Sequence, residues 1–241
     1  MTQQRTGIRV VVLGARGRVG SQICQAIHAA ADLHLVEDLG DAEVAVDFTT
    51  PDAVMGNLQR CIDRGVHVVV GTSGFDEARL DQVRSWLADR SGLGVVVAPN
   101  FAVGAVLMTE FAERAARYFD SAEIVEMHHP NKLDAPSGTA THTAEMIAAG
   151  RAAAGRGAMP DATQDKTGPA RGSEVYGVRI HAVRARGLLA HQQVLFGSAG
   201  ETLTLRHDSL DRSSFIPGVL LAVRAVPDRP GLTVGLGPLL S

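Results

Sequence analysis

The stretch "IRVVVLGARGRVGSQICQAI", residues 8–27, decides how the rest of the chain is read. Ile8–Leu13 is a nearly continuous apolar run, the pattern of a strand covered on both faces. A turn punctuated by Gly14, Gly17 and Gly20 follows, and then Val19, Ile23 and Ile27 recur every fourth residue along a helix. The same alternation continues. Val44–Phe48, His67–Val70 and Gly94–Ala98 read as buried strands. Val54, Leu58 and Ile62, and then Leu80, Val83 and Leu87, mark the helices between them. Strands alternating with helices in this way predict a parallel sheet with helices on both faces.

After Asn100 the period changes. Residues 102–119 read as a long helix, 122–128 as a strand, and 137–154 as a second helix with Ser137 as its N-cap. Residues 155–172, rich in Gly, Pro, Asp and Thr, read as a long loop. Three strands without helices between them follow, at 177–184, 190–196 and 202–206, which calls for an antiparallel or mixed sheet. Residues 213–226 return to a helical pattern. The expected fold class is α/β: a Rossmann-like, parallel-sheet nucleotide-binding domain from residues 1–101 and 213–241, and a smaller α+β domain with a mixed sheet from residues 102–212.

Composition narrows the partners. A formal net charge of −3 with no long run of one sign argues against nucleic acid or an acidic membrane surface. No stretch approaches the roughly 18–20 apolar residues of a membrane span, and the opening MTQQRTG is polar with too short an apolar run after it for a targeting signal. Cys24 and Cys61 lie far apart in helical patterns and read as reduced thiols. A cytoplasmic protein is expected.

The glycine turn itself suits a phosphate. Only glycine lets backbone amides approach a pyrophosphate closely, and the following helix presents its positive end there. The competing reading is a tight strand-to-helix turn with no ligand; the strand before and the amphipathic helix after favour the nucleotide. A dinucleotide site also needs an acid about twenty residues on for the ribose hydroxyls, and Glu37 and Asp38 stand there. They favour NADH, whereas Arg16 and Arg18 suit the 2′-phosphate of NADPH. The charge at this turn therefore points both ways. Only "DLGDAE" separates Glu37 from the strand at Val44. Six extended residues reach about 20 Å, so no second helix is expected between these strands.

Chemistry concentrates in "HHPNKLDAPSGTA", residues 128–140. Histidine moves protons near neutral pH, Lys132 adds a cation, and the amides of Gly138 and Thr139 at a helix start form a seat for a carboxylate. Two adjacent histidines also suit a metal, yet no further cluster of ligand spacing stands near them, so no metal is expected. Ser137 reads as a helix cap rather than a nucleophile, and Asp134 as an anchor of the turn. An anionic substrate that must also be protonated fits the set.

With "GARGRVG", "VVGTSGF", "APNFAVGAVL" and "GETLTLRHDSLDRSSFIPGVLLA", this segment resembles the bacterial 4-hydroxy-tetrahydrodipicolinate reductase (dihydrodipicolinate reductase) family, from Ile8 to Leu239. The resemblance implies an NADH- or NADPH-dependent oxidoreductase of lysine and diaminopimelate biosynthesis. Such an enzyme reduces a hydroxylated cyclic imine dicarboxylate with loss of water. It implies acid–base roles for His128 and Lys132, and substrate contacts from His129, Gly138 and Thr139. Cofactor contacts are implied for Gly14, Ala15, Arg16, Gly17, Arg18 and Val19, for Gly71, Thr72 and Ser73, and for Ala98, Pro99, Asn100 and Phe101. It further implies a homotetramer built through the second domain's sheet. Two departures stand out: Ser73 replaces a threonine, and the segment after the second strand is short, which bears on the adenosine contacts of Glu37 and Asp38. Two other functions fit the same residues. One is a nicotinamide reductase for another small carboxylate, the other a dinucleotide sensor without catalysis; the His128 and Lys132 pair speaks against the sensor.

Overall fold

The structure, a computed structural model, describes residues 7–164 and 170–240. Residues 165–169, inside the loop expected over 155–172, and residues 1–6 of the polar opening lie outside the described residues. The chain divides into two compact units, Met1–Val103 with Arg212–Ser241, and Gly104–Asp211.

The first unit holds strands β1 (Ile8–Leu13), β2 (Leu33–Leu35), β3 (Val44–Asp47), β4 (His67–Val70), β5 (Gly94–Val97) and β11 (Gly231–Val234) in one sheet of order β11-β5-β4-β3-β1-β2. Every pairing is parallel. The valine runs are explained by cover on both faces. On one face, Val11, Ala45, Val68, Val70, Val95 and Val97 pack with Val54, Leu58 and Ile62 of α2 (Val54–Asp63) and Leu80, Val83 and Leu87 of α3 (Glu77–Leu87). The alternate strand residues, Val10, Val12, Val44, Val46, Val69 and Val96, are equally buried. So are Ile23 and Ile27 of α1 (Arg18–Ala29) and Val219, Ala222 and Val223 of α6 (Ile216–Ala225).

Between β2 and β3 the chain makes only a 3-10 turn, Leu39–Asp41, as the six-residue gap requires. The helix read over 213–226 is in fact a 3-10 turn, Arg212–Phe215, followed by α6, with Pro217 in its first turn, where its missing N–H costs nothing. β11 is a strand that periodicity does not reveal. It is four residues long, and Gly231 and Gly235, both at positive φ, bracket it.

The second unit orders its strands β10-β9-β6-β8-β7, from β6 (Ser121–His128), β7 (Ser173–Val175), β8 (Val178–Arg184), β9 (Ala190–Ser198) and β10 (Glu201–Ser209). The sheet is mixed. β6 and β8 run parallel, joined by a crossover that includes α5 (Gly138–Ala153), and the other pairings are antiparallel. Ala122 and Ile124 of β6 face a core of Ala140, Ala144 and Ile147 from α5 and Ala112 and Ala116 from α4 (Val103–Ala116). By the strand alternation the next residue on that face is Glu126, and it is wholly buried.

A Cβ on Gly20 would lie 2.1 Å from the carbonyl oxygen of Gly14, whereas one on Gly56, inside α2, meets nothing within 4 Å. Gly20→Ala is therefore expected to lower stability by about 1–3 kcal/mol through overpacking. Gly56→Ala should raise it by about 0.5–1 kcal/mol through helix propensity. Urea unfolding followed by circular dichroism reads both.

Candidate active site

In the first unit the sequence-predicted cofactor residues lie beyond the carboxyl ends of β1, β4 and β5, with Glu37 and Asp38 beyond that of β2. Gly14 has φ +87°, and a Cβ there would meet the Phe48 carbonyl oxygen at 2.4 Å. The Gly17 N–H bonds the Gly14 carbonyl at 2.8 Å, and Gly17 then caps α1 without any side-chain acceptor. No acid lies in the first turn of α1, so its positive end faces outward uncompensated. Ala15, Arg16 and Arg18 are exposed and Val19 is half-buried. A close backbone, an uncapped helix start and two exposed guanidinium groups fit a diphosphate.

The other cofactor candidates divide into exposed groups and groups bonded within the fold. Asp38 Oδ1 accepts the Gly40 N–H at 2.8 Å and so caps the 3-10 turn, while Glu37 is exposed at the end of β2. A Cβ on Gly71 would strike the Phe48 ring at 2.1 Å, so this turn accepts only glycine. The Thr72 hydroxyl is directed inward. It bonds Asp47 Oδ1 at 2.9 Å and accepts the Thr49 N–H at 2.8 Å. Ala98 and Phe101 are buried, Phe101 against the Phe48 ring at 5.6 Å between centroids. Asn100 Oδ1 accepts the Ala102 N–H at 2.9 Å. Ser73 and Pro99 are exposed. Thr72, Ala98 and Phe101 thus shape the rim through their backbone.

Sequence reading missed Asp47 and Phe48. Asp47 is fully buried and saturated by donors: the Thr49 N–H at 3.0 Å and hydroxyl at 2.7 Å, the Thr72 hydroxyl, and Asn57 Nδ2 at 2.8 Å. The available signal was an acid ending an otherwise apolar strand, VAVD. Its charge adds to burial in pushing the Cys61 thiol up to about 11, and both Cys61 and Cys24 are free thiols.

In the second unit the 128–140 loop is organised by a residue just before it. Glu126 has a side chain with 0% exposure, two positions before His128 on the same face of β6. Arg184, at the end of β8, grips it with both terminal nitrogens, Nη1 to Oε2 and Nη2 to Oε1, each 2.8 Å. His128 Nδ1 lies 2.6 Å from Oε2, and the Ser137 N–H donates to Oε1 at 3.1 Å. Burial raises the Glu126 carboxyl, but the hydrogen bonds and charges of Arg184 and His128 outweigh it and hold the group below its ordinary range. Glu126 is therefore ionised and has no proton to give. His128 Nδ1 must be the donor in its bond to Glu126, which leaves Nε2 of a neutral ring with a lone pair.

His128 is pushed below the ordinary histidine value, first by burial and further by the charges of Lys132 and Arg184, against the pull of Glu126. Lys132 Nζ bonds Asp134 Oδ1 at 2.7 Å. Ser137 caps α5 by accepting the Ala140 N–H at 3.2 Å, which sets Gly138 and Thr139 as the first helical residues. Gly138 is exposed, and a Cβ there would meet nothing within 4 Å. The Thr139 carbonyl accepts the Thr143 hydroxyl at 2.9 Å, and Gln192 Nε2 donates to that hydroxyl at 2.8 Å, tying the first turn of α5 to β9. His129 Nδ1 is buried and makes no hydrogen bond within the described residues. Glu126 and Arg184 were not among the predicted residues. The signal for the acid was its place two residues before His128 in an alternating strand. No local signal marks an arginine 58 residues further on. Among the described residues no group of three or more His, Cys, Asp or Glu side chains is placed to hold a metal ion.

Residues 8–42 and 37–101 match the family model for "Dihydrodipicolinate reductase, N-terminus", and residues 104–240 match that for "Dihydrodipicolinate reductase, C-terminus". The chain belongs to the dihydrodipicolinate reductase family. It is 62% identical over 244 residues to the 4-hydroxy-tetrahydrodipicolinate reductase of Nocardia farcinica, spanning 97% of this chain and 98% of that one. With the enzyme of the same name from Mycobacterium marinum it shares 57% identity over 245 residues, 97% of this chain and 99% of the other. A dipicolinate-bound dihydrodipicolinate reductase from Paenisporosarcina sp. TG-14 superposes with a TM-score of 0.83 at 37% identity, covering 96% of this chain and 99% of that one.

For this reductase-family chain the Glu126 hub yields a specific expectation. Glu126→Gln leaves the Arg184 charge without its counter-ion and should cost about 3 kcal/mol or more in unfolding free energy. In the wild type the depressed Glu126 carboxyl contributes stability that is present above its unfolded pKa, about 4.3, and is lost as pH falls through the folded value. That acid dependence should flatten in the variant. Removing the Glu126 charge should also lower the His128 pKa further, read by NMR titration of the imidazole.

Proposed function

We propose that the protein is a 4-hydroxy-tetrahydrodipicolinate reductase that uses NADH or NADPH, reducing a hydroxylated cyclic imine dicarboxylate with loss of water. The observation that carries this reading is the 128–139 loop. There an imidazole and a helix N-terminus are fixed on one buried carboxylate, Glu126, and the Lys132 ammonium stands in the same loop on Asp134, in a chain of this family. A pyridine nucleotide held by the glycine turn would supply the hydride.

The chain's own residues then divide the work. Hydride addition to the unsaturated system conjugated to the imine builds negative charge, and a proton must follow. Lys132 holds a proton to donate there. His128, neutral through burial and with Nδ1–H committed to Glu126, presents Nε2 to accept or relay one. The start of α5 at Gly138 and Thr139, with His129, receives a substrate carboxylate. Arg16 and Arg18 favour the 2′-phosphate of NADPH, and Glu37 the ribose hydroxyls of NADH. With Asp38 Oδ1 engaged as a turn cap, Glu37 is set against two exposed arginines, and use of both cofactors is the expected balance. The same reading places the protein in the cytoplasm as a homotetramer, joined through the second sheet. On the sheet face away from the helices, Val183 and Leu195 are exposed at 40% and 37%. No described helix is long and apolar enough to cross a membrane.

The test is a coupled assay in which pyruvate and aspartate semialdehyde, with the synthase that condenses them, generate the substrate while NADH or NADPH loss is followed. Turnover with both cofactors at efficiencies within about tenfold is expected, and absence of turnover with either overturns the reading. Lys132→Ala should lower kcat by about 10²–10⁴ while leaving the cofactor Kd unchanged. Glu37→Ala should shift preference toward NADPH.

A further inference from the structure

Lys132 is not a lone cation. Its Nζ lies 2.7 Å from Asp134 Oδ1, with the lysine side chain 21% exposed and the aspartate 56%. The two halves of Asp134 differ in freedom. Its carbonyl accepts Arg184 Nη2 at 2.8 Å, and Arg184 is itself clamped to the buried Glu126, so the backbone at this residue is tied to the ends of β6 and β8. The carboxylate is more than half exposed, and the side chain that holds it is Lys132. Lys132 first, and then the backbone N–H groups of Asp134 and Gly138, hold it below the usual carboxylate range. Gly138 is the first residue of α5. The Asp134 carboxylate therefore lies on the ammonium that the proposed function gives to the substrate, four residues before the start of α5.

We propose that Asp134 is a built-in carboxylate occupying the anion seat formed by Lys132 and the first turn of α5, and that a dicarboxylate binds by displacing it. The inference rests on the proposed reading of this loop as the substrate site. It assigns Asp134 a role in specificity. Any incoming anion must replace an interaction that already exists, so a monocarboxylate gains little, while a dicarboxylate brings a second charged group that Asp134 does not match. Exchange of one carboxylate for another also leaves the net charge at Lys132 nearly unchanged, so binding should depend only weakly on salt. Because the backbone anchor is a carbonyl, replacing the side chain leaves it in place.

Calorimetric titration with pyridine-2,6-dicarboxylate across a range of salt concentrations tests this, using the intact protein and the variants Asp134→Asn, Asp134→Ala and Lys132→Met. Displacement predicts that both Asp134 variants bind about two- to fivefold tighter, with a steeper salt dependence than wild type. Acetate should gain at least as much in relative terms. Unchanged or weaker binding with an unchanged salt dependence overturns the inference and makes Asp134 a support for Lys132. The Lys132→Met variant separates the two readings. Loss of dicarboxylate binding there upholds the site whatever Asp134 does. Wild-type affinity there removes the loop from the substrate site altogether, and the inference with it.

Discussion

A carboxylate cannot be taken fully out of water unless its charge is answered, and at Glu126 the answer is complete. Arg184 supplies two hydrogen bonds, His128 one and the Ser137 amide another. The isolated cost of burying such a group is several kcal/mol, so each donor is held in place by the cost of its absence. Those donors come from the end of β6, the end of β8 and the residue that starts α5. One buried ion thus pins three elements at the point where the histidine, lysine and helix terminus must converge, and the loop between them inherits its shape.

The first unit repeats the device with different partners. Asp47 closes β3, fully buried, and its acceptors are filled by Thr49, Thr72 and Asn57. That fixes the turn after β4 beside the glycine turn after β1. Phe48 completes it, its carbonyl crowding Gly14 and its ring crowding Gly71, so two loops are kept narrow by one residue. In both units a buried acid organises the loops beside it: Asp47 in the first, Glu126 in the second.

His128 and Lys132 stand in different surroundings. Burial and two nearby cations lower the His128 pKa against the pull of Glu126, while Lys132 is paired to Asp134 at 2.7 Å.

The sequence alone determined the elements that local physics dictates. Valine runs with apolar side chains on both faces could only be central strands, four-residue repeats gave the helices that cover them, and the six residues between Glu37 and Val44 left no room for another. The density of proton-moving and anion-seating groups in 128–140 was equally legible, because those residues are adjacent in the chain. Tertiary structure decided what depends on distant partners. β11 became a strand by adding to the edge beside β5, although its four residues carry little pattern of their own. Thr72 turned inward because Asp47, 25 residues earlier, was there to accept its hydroxyl. Arg184, 58 residues from Glu126 in sequence, reached it only because β6 and β8 lie side by side in register. A buried charge selects its partner by proximity in space, and the local sequence has no means of recording which distant residue that will be.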